Sequence, residues 1–275
     1  MKINIAIAQT NPVFGDIGAN LNQHIRMIEE AKRKNADLIV FPELSLSGYY
    51  LQDMVRDVAV SDPEKELKKL IKSSDNIGVI AGFIELSEDY RLFNSAVICD
   101  NGMMKGVNRK IFLPTYGMFE EARYFAGGDT LHLYDFKFGK TALLICEDAW
   151  HPELGLKLIE KNVTLLIVTS CSPVKGAAEK SGNSSRIVNT GINRFYSQFL
   201  GIPVVFANRT GYEQGVSFYG GSMVFSAGGD LIFQAPEHKD GLFFVETDLD
   251  AVRRSRISFP YLRDIKNRKE IRISE

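Results

Sequence analysis

Cysteine is scarce in this 275-residue chain, with Cys99, Cys146 and Cys171 the only three. An odd, sparse set makes a poor disulfide framework, and without a Cys-x-x-Cys pair a structural zinc site of the usual kind is not expected. The four histidines, His24, His132, His151 and His238, are scattered, which weakens any serine-triad or histidine–metal reading. No charge excess exists: Lys+Arg total 33 against Asp+Glu 34, a formal net charge of -1. Nothing global therefore argues for nucleic acid or an anionic membrane as partner. No run of about 18 apolar residues occurs, so no membrane span is expected. The opening MKINIAIAQT alternates and stops early, reading as a first strand rather than a signal peptide. A reducing, cytoplasmic setting is the expectation. Also missing are a phosphate loop ending in Lys-Ser/Thr, GxGxxG, HExxH and GxSxG, so the common phosphate, dinucleotide, zinc-protease and serine-hydrolase signatures are excluded.

Hydrophobic residues make up 45% and charged residues 24%, the balance of a soluble globular protein. Strand patterns cover 3–8, 38–41, 77–84, 95–99, 141–146, 165–169, 204–208, 222–225, 231–234 and 243–247. Helical spacing lies between some of them. Asn20 is read as the N-cap of a helix to about Asn35, with Leu21, Ile25, Ile28 and Ala31 on one face. Further helices start at Asp62-Pro63 and Pro152, and another spans 185–200. This order predicts one α/β domain over residues 1–275, with two sheets face to face and helices outside. After Asp250 the chain is rich in Arg and Lys (Arg253, Arg254, Arg256, Arg263, Lys266, Arg268, Lys269), read as solvated surface or an arm to a neighbouring subunit.

Three segments carry possible chemistry. In FPELSLSGY, Glu43 follows an apolar strand, where α/β enzymes place site residues. Among apolar neighbours such a carboxylate suits base work; the plainer reading is an exposed loop glutamate. In NRKIFLPTYGMFEE, Lys110 sits amid dense apolar and polar residues, either as an oxyanion-stabilising ammonium or as a surface lysine. In LLICEDAW, Cys146 ends a buried strand, and acidic residues and a predicted helix follow. A helix N-terminus there would favour a thiolate; the alternative is a small core residue.

Together, intact and in this order, the three segments resemble the carbon–nitrogen hydrolase (nitrilase) superfamily over essentially the whole length. Within it the chain is most similar to the glutaminase domain of glutamine-dependent NAD synthetases, through GYYLQDMV, LPTYG and CEDAW. The resemblance implies a four-layer α-β-β-α sandwich, assembled as a homodimer or higher homo-oligomer, and an enzyme that needs no cofactor and no metal. It implies a Glu43-Lys110-Cys146 triad: Glu43 as proton acceptor, Cys146 as nucleophile, and the Lys110 ammonium with the Glu147 backbone N–H as oxyanion donors. Glu121 matches a second glutamate that supports the lysine, and Tyr116 a tyrosine that lines the substrate pocket. Cys171 and Ser172, in TSCSPVKG, match the pocket-shaping stretch of the glutaminase branch.

The likeness to NAD synthetases stops short of their ATP-using domain, so ammonia would go to a separate synthetase or be released by a free-standing amidase. After Ser172-Pro173 the basic residues Lys175, Lys180 and Arg186 stand out of the usual register, which speaks against glutamine as the fixed substrate. The expected substrate is a small amide: glutamine, an ω-amide or an N-carbamoyl compound, with nitriles last. Two alternatives differ in kind. A Cys146–His151 pair is disfavoured because a helix start intervenes and no orienting Asn or Asp stands out. A catalytically silent binding or scaffold protein on the same fold is disfavoured because all three triad positions are intact.

Overall fold

The structure, a computed structural model, describes residues 1–174 and 184–267. The first half runs β1 (Lys2–Gln9), α1 (Ile17–Arg33), β2 (Leu38–Val40), α2 (Pro63–Glu66), α3 (Lys68–Ser73), β3 (Gly78–Leu86), β4 (Leu92–Asp100) and β5 (Met103–Arg109). A short α4 (Glu121–Tyr124) leads to β6 (Leu133–Phe136), β7 (Gly139–Ile145), α5 (Pro152–Ile159), β8 (Leu165–Ser170) and α6 (Ser184–Leu200). Then follow β9 (Val204–Asn208), β10 (Thr210–Glu213), β11 (Val216–Tyr219), β12 (Met223–Phe225), β13 (Leu231–Gln234), β14 (Gly241–Asp248), α7 (Asp250–Ser258) and α8 (Tyr261–Asn267). Among the described residues, no helix is long and apolar enough to cross a membrane.

Two six-stranded sheets form, ordered β14-β1-β2-β3-β4-β5 and β13-β12-β9-β8-β7-β6. In each, three neighbouring strands are parallel: β1-β2-β3 and β7-β8-β9. The two-residue period of a strand sorts the side chains between layers. Ile5, Ile7, Leu38, Val40, Ile80 and Ile98 meet Leu143, Ile145, Leu165, Ile167 and Val205 between the sheets. Their sequence neighbours point outward. Ala6, Ala8, Ile39 and Val79 pack on Ile28 and Ala31 of α1 and Leu70 of α3. Leu144, Leu166 and Val168 pack on Leu154 and Leu158 of α5 and Tyr196 of α6. The result is the α-β-β-α sandwich, its layers held by apolar burial of about 1.5–3 kcal/mol per large side chain.

Several sequence readings need correction. The cap of α1 is Asp16, whose carboxylate accepts from the Ala19 N–H at 2.8 Å. Asn20 is a buried residue inside the helix, and its amide bonds Val13 and Leu46 instead. The start of the basic tail is helical, with Arg253, Arg254 and Arg263 exposed. It forms α7 and α8, and Arg256 donates to the carbonyls of Leu200 and Val163. Strands β5, β6, β10 and β11 escape the sequence pattern. The first two are sheet edges, and the last two make a separate hairpin with positive φ at Gln214 and Gly215. A two-residue turn with both φ positive is the usual close of such a hairpin.

Candidate active site

Glu43, Lys110 and Cys146 all lie just beyond the C-terminal ends of strands: β2, β5 and β7 respectively. The structure brings them together although 103 positions separate the outer two. Lys110 has no exposed surface, and its Nζ donates to Glu43 Oε1 and to Glu121 Oε1, each at 2.7 Å. Burial alone would lower this ammonium's pKa, but the charges of Glu121 and Glu43 outweigh it and hold the group well above the ordinary lysine range. Burial moves Glu121 the other way for a carboxylate, up to about 7, against the pull of Lys110. Tyr49 also donates to Glu121 Oε1, at 2.6 Å.

The Glu43 carboxylate is fixed on every side. Asn94 Nδ2 donates to Oε1 at 2.8 Å, and the Cys171 N–H donates to Oε2 at 2.7 Å. Its backbone turn packs so closely on β3 that a Cβ at Gly82 would stand 2.3 Å from the Leu44 nitrogen. The turn itself contains Leu44 at φ +46°. From below, the fully buried His24 stacks on Phe41 at 3.9 Å and meets Ser45 Oγ at 2.9 Å through Nε2. Nδ1 faces the Asn20 carbonyl at 2.7 Å, so it carries the hydrogen and Nε2 accepts. Burial pushes this imidazole down to about 4.

Cys146 begins a single 3₁₀ turn, Cys146–Trp150, with φ +50°. Left-handed backbone costs a non-glycine residue roughly 1–2 kcal/mol, and such strain clusters where a side chain must be aimed. Asp148 explains how the turn is held. Its buried carboxylate accepts from the N–H groups of Ile111 (3.0 Å), Phe112 (2.9 Å) and Ile145 (3.1 Å). One side chain thus ties the segment after Lys110 to the residue before Cys146. Burial raises it to about 6. A five-residue 3₁₀ turn rather than a full helix follows the strand at Cys146, so the expected helix N-terminus is not there to favour a thiolate. Burial, and next the charge of Glu43, push the Cys146 thiol up, opposed by Lys110 and by a hydrogen bond from Ser170.

The remaining predicted residues fall into different roles. Tyr116 is exposed, and its hydroxyl donates to Glu147 Oε2 at 2.9 Å, so it stands at the rim rather than in the core. Cys171 is buried, and its thiol donates to the Glu43 carbonyl at 3.0 Å. Ser172 is buried, and its hydroxyl is 2.7 Å from that of Ser170. Lys175 and Lys180 lie outside the described residues, while Arg186 pairs with Glu237 at 3.0 Å. The His151 ring stacks on Phe112 at 3.5 Å, its nitrogens facing Glu153 and Glu147, which leaves the Cys–His alternative without support. Among the described residues, no group of three or more His, Cys, Asp and Glu side chains is arranged to hold a metal ion.

Sequence reasoning missed His24, Asp148, Ser170 and the buried Arg209–Glu213 pair (2.7 Å). Glu213 accepts from the N–H groups of Tyr49 (2.7 Å) and Tyr50 (2.5 Å), so the β10–β11 hairpin props the strap that carries Tyr49 to Glu121. The only signal in the sequence was Asp148 beside Cys146.

Comparison with known proteins bears on this arrangement. The carbon–nitrogen hydrolase family model matches residues 4–257. The chain belongs to that family. It is 32% identical over 256 residues to the glutamine-dependent NAD(+) synthetase of Acinetobacter baylyi, covering 93% of this chain but 46% of that protein. It therefore spans under half the length of that relative. A nitrilase of Pyrococcus abyssi is 29% identical, with 98% of each chain covered. A crystal structure of a carbon–nitrogen hydrolase from Helicobacter pylori G27 superposes with TM-score 0.88 at 25% identity, covering 96% of this chain and 95% of that one. This carbon–nitrogen hydrolase thus shares its sandwich with proteins of its own length and with one portion of longer synthetases.

Proposed function

We propose that this carbon–nitrogen hydrolase cleaves the C–N bond of a small linear amide through a thioester on Cys146, releasing ammonia. The observation that carries the reading is the fully buried Lys110 ammonium, pinned between Glu43 and Glu121 at 2.7 Å each and acting electrostatically on the Cys146 thiol. Glu43 takes the thiol proton as sulfur bonds to the carbonyl carbon. The Lys110 ammonium and the Glu147 N–H hold the oxyanion; one such donor contributes about 10²–10³ in kcat. Collapse breaks the C–N bond, and ammonia leaves with the proton from Glu43. Water then gives a proton to Glu43 and its oxygen to the thioester carbon, and the acid leaves as sulfur regains its proton. The raised thiol supports this order, since a base is needed only where the nucleophile rests protonated.

Glutamine or another ω-amide ranks ahead of N-carbamoyl compounds and nitriles, a ranking supported by the synthetase-like segments and by the polar rim made by Tyr116 and Glu147. The test is ammonia release from glutamine, asparagine, simple aliphatic amides, N-carbamoyl amino acids and nitriles, with Cys146→Ala as blank. Release from an amide that vanishes in the variant is the expected result. Release that survives in Cys146→Ala refutes the mechanism.

A further inference from the structure

We propose that Ser170 is a further catalytic residue, whose hydroxyl donates a hydrogen bond to the Cys146 sulfur and stabilises it when it bears charge. Its chemistry rests on the thioester reading above; its geometry stands independently. Ser170 ends β8, and the preceding Thr169 pairs in parallel register with Ile145 of β7. The two strand ends therefore set Ser170 beside Cys146, with Oγ 3.4 Å from Sγ.

Behind Ser170 stands a chain of donors. Its Oγ is 2.7 Å from Ser172 Oγ, and Ser172 Oγ accepts from Asn189 Nδ2 on α6 at 3.0 Å. The same nitrogen donates to the Tyr219 hydroxyl at 3.1 Å. With its single hydroxyl hydrogen on the Cys146 sulfur, Ser170 can only accept from Ser172, and Ser172 in turn accepts from the Asn189 amide nitrogen. Asn189 donates to Ser172, Ser172 to Ser170, and Ser170 to sulfur. Ser170, Ser172 and Asn189 are all buried. In such surroundings successive hydrogen bonds polarise one another, and this chain ends on the reacting atom.

The sulfur needs that support twice. In attack the S–H bond breaks, its proton passes to Glu43, and an S–C bond forms. In thioester hydrolysis the S–C bond breaks, its electron pair returns to sulfur, and the proton comes back from Glu43. No reagent beyond amide and water is required. Lys110 and Glu43 approach from the other sheet, whereas the Ser170 donor comes from the strand beside Cys146.

The test is the second-order rate of Cys146 alkylation by iodoacetamide at fixed pH, in Ser170→Ala and in Ser172→Ala, with melting curves to check folding. Loss of one thiolate donor, equivalent to about one pKa unit, gives about a tenfold lower rate in Ser170→Ala. Ser172→Ala, which keeps the Ser170 hydroxyl but removes its donor, gives a smaller drop. With an active amide, kcat falls and KM holds. A native alkylation rate in a folded Ser170→Ala overturns the proposal. If that variant does not fold, a native rate in Ser172→Ala overturns it. Alkylation reads the sulfur without substrate, so a chain that releases no ammonia from any amide would refute the proposed function while leaving this result standing.

Discussion

Lys110 has no exposed surface and, among the described residues, is the cation that contacts both Glu43 and Glu121. Removing it leaves two carboxylates facing each other in a buried site. Lys110→Met should therefore lose activity and also about 3–5 kcal/mol of stability, the usual cost of breaking a buried pair. Chemical denaturation alongside ammonia release checks both; full stability in the variant would mean the carboxylates are not ionised together. His24 acts on a different property. In the unfolded chain it binds a proton below about pH 6.5, whereas in the fold it does so only near 4. Lowering the pH through that window therefore favours unfolding, by about 3 kcal/mol once both states are charged. His24→Gln should narrow the stability gap between pH 7 and pH 4, measured as denaturation midpoints at each pH. An identical pH slope in both proteins would contradict it. Glu43 and Cys146 were legible in the sequence because each follows an apolar run that stops abruptly, whereas Lys110, after the mixed strand β5, was singled out only through the family resemblance of its segment. Apart from Glu121, their supports were not legible, because the partners are distant: the Cys171 N–H that holds Glu43 is 128 positions away.

At the scale of elements, the site is a junction of strand ends locked by backbone contacts. Asp148 joins the segment after β5 to the end of β7 through three N–H groups. An asparagine there can accept through one oxygen but must present a donor to the rest. Asp148→Asn is expected to lower kcat about 10–100-fold with KM little changed, since misplacement by about 1 Å costs that much. A proportional rise in KM instead would place Asp148 in substrate binding. Gly82 is the second lock. A methyl at this position would meet the Leu44 nitrogen and the Pro42 carbonyl, both backbone atoms that cannot swing away. Gly82→Ala should push the Glu43 turn off β3 and abolish activity, and a crystal structure of the variant would show the displaced turn. The alternating run of β1 and the continuous apolar runs of β7 and β8 announce buried strands. Edge strand β5 is mostly unburied and β6, β10 and β11 are only four residues long, too short for a pattern, so sheet order and the hairpin's role under Tyr49 emerge only from the fold.

The molecule as a whole depends on the layer between its sheets. Ile167 lies in that layer with no exposed surface. Ile167→Ala is expected to cost about 2–5 kcal/mol, read by denaturant unfolding, with the active-site chemistry little changed at low temperature. On the outermost layer, Leu156 of α5, Phe195 of α6 and Tyr261 of α8 are exposed apolar side chains. Exposed apolar side chains favour a protein contact, and we propose a homodimer. Sedimentation should give twice the 30.8 kDa chain mass, whereas a single-chain mass at micromolar concentration would contradict it. The proposed mechanism turns on a covalent route through the Cys146 sulfur. The most direct test is to quench a reaction with an active amide in acid and weigh the peptide containing Cys146. A peptide heavier by the acyl group, absent from Cys146→Ala, is the predicted result. Turnover with no acyl mass on that peptide, under conditions where thioester formation outruns its hydrolysis, would contradict a covalent route through Cys146.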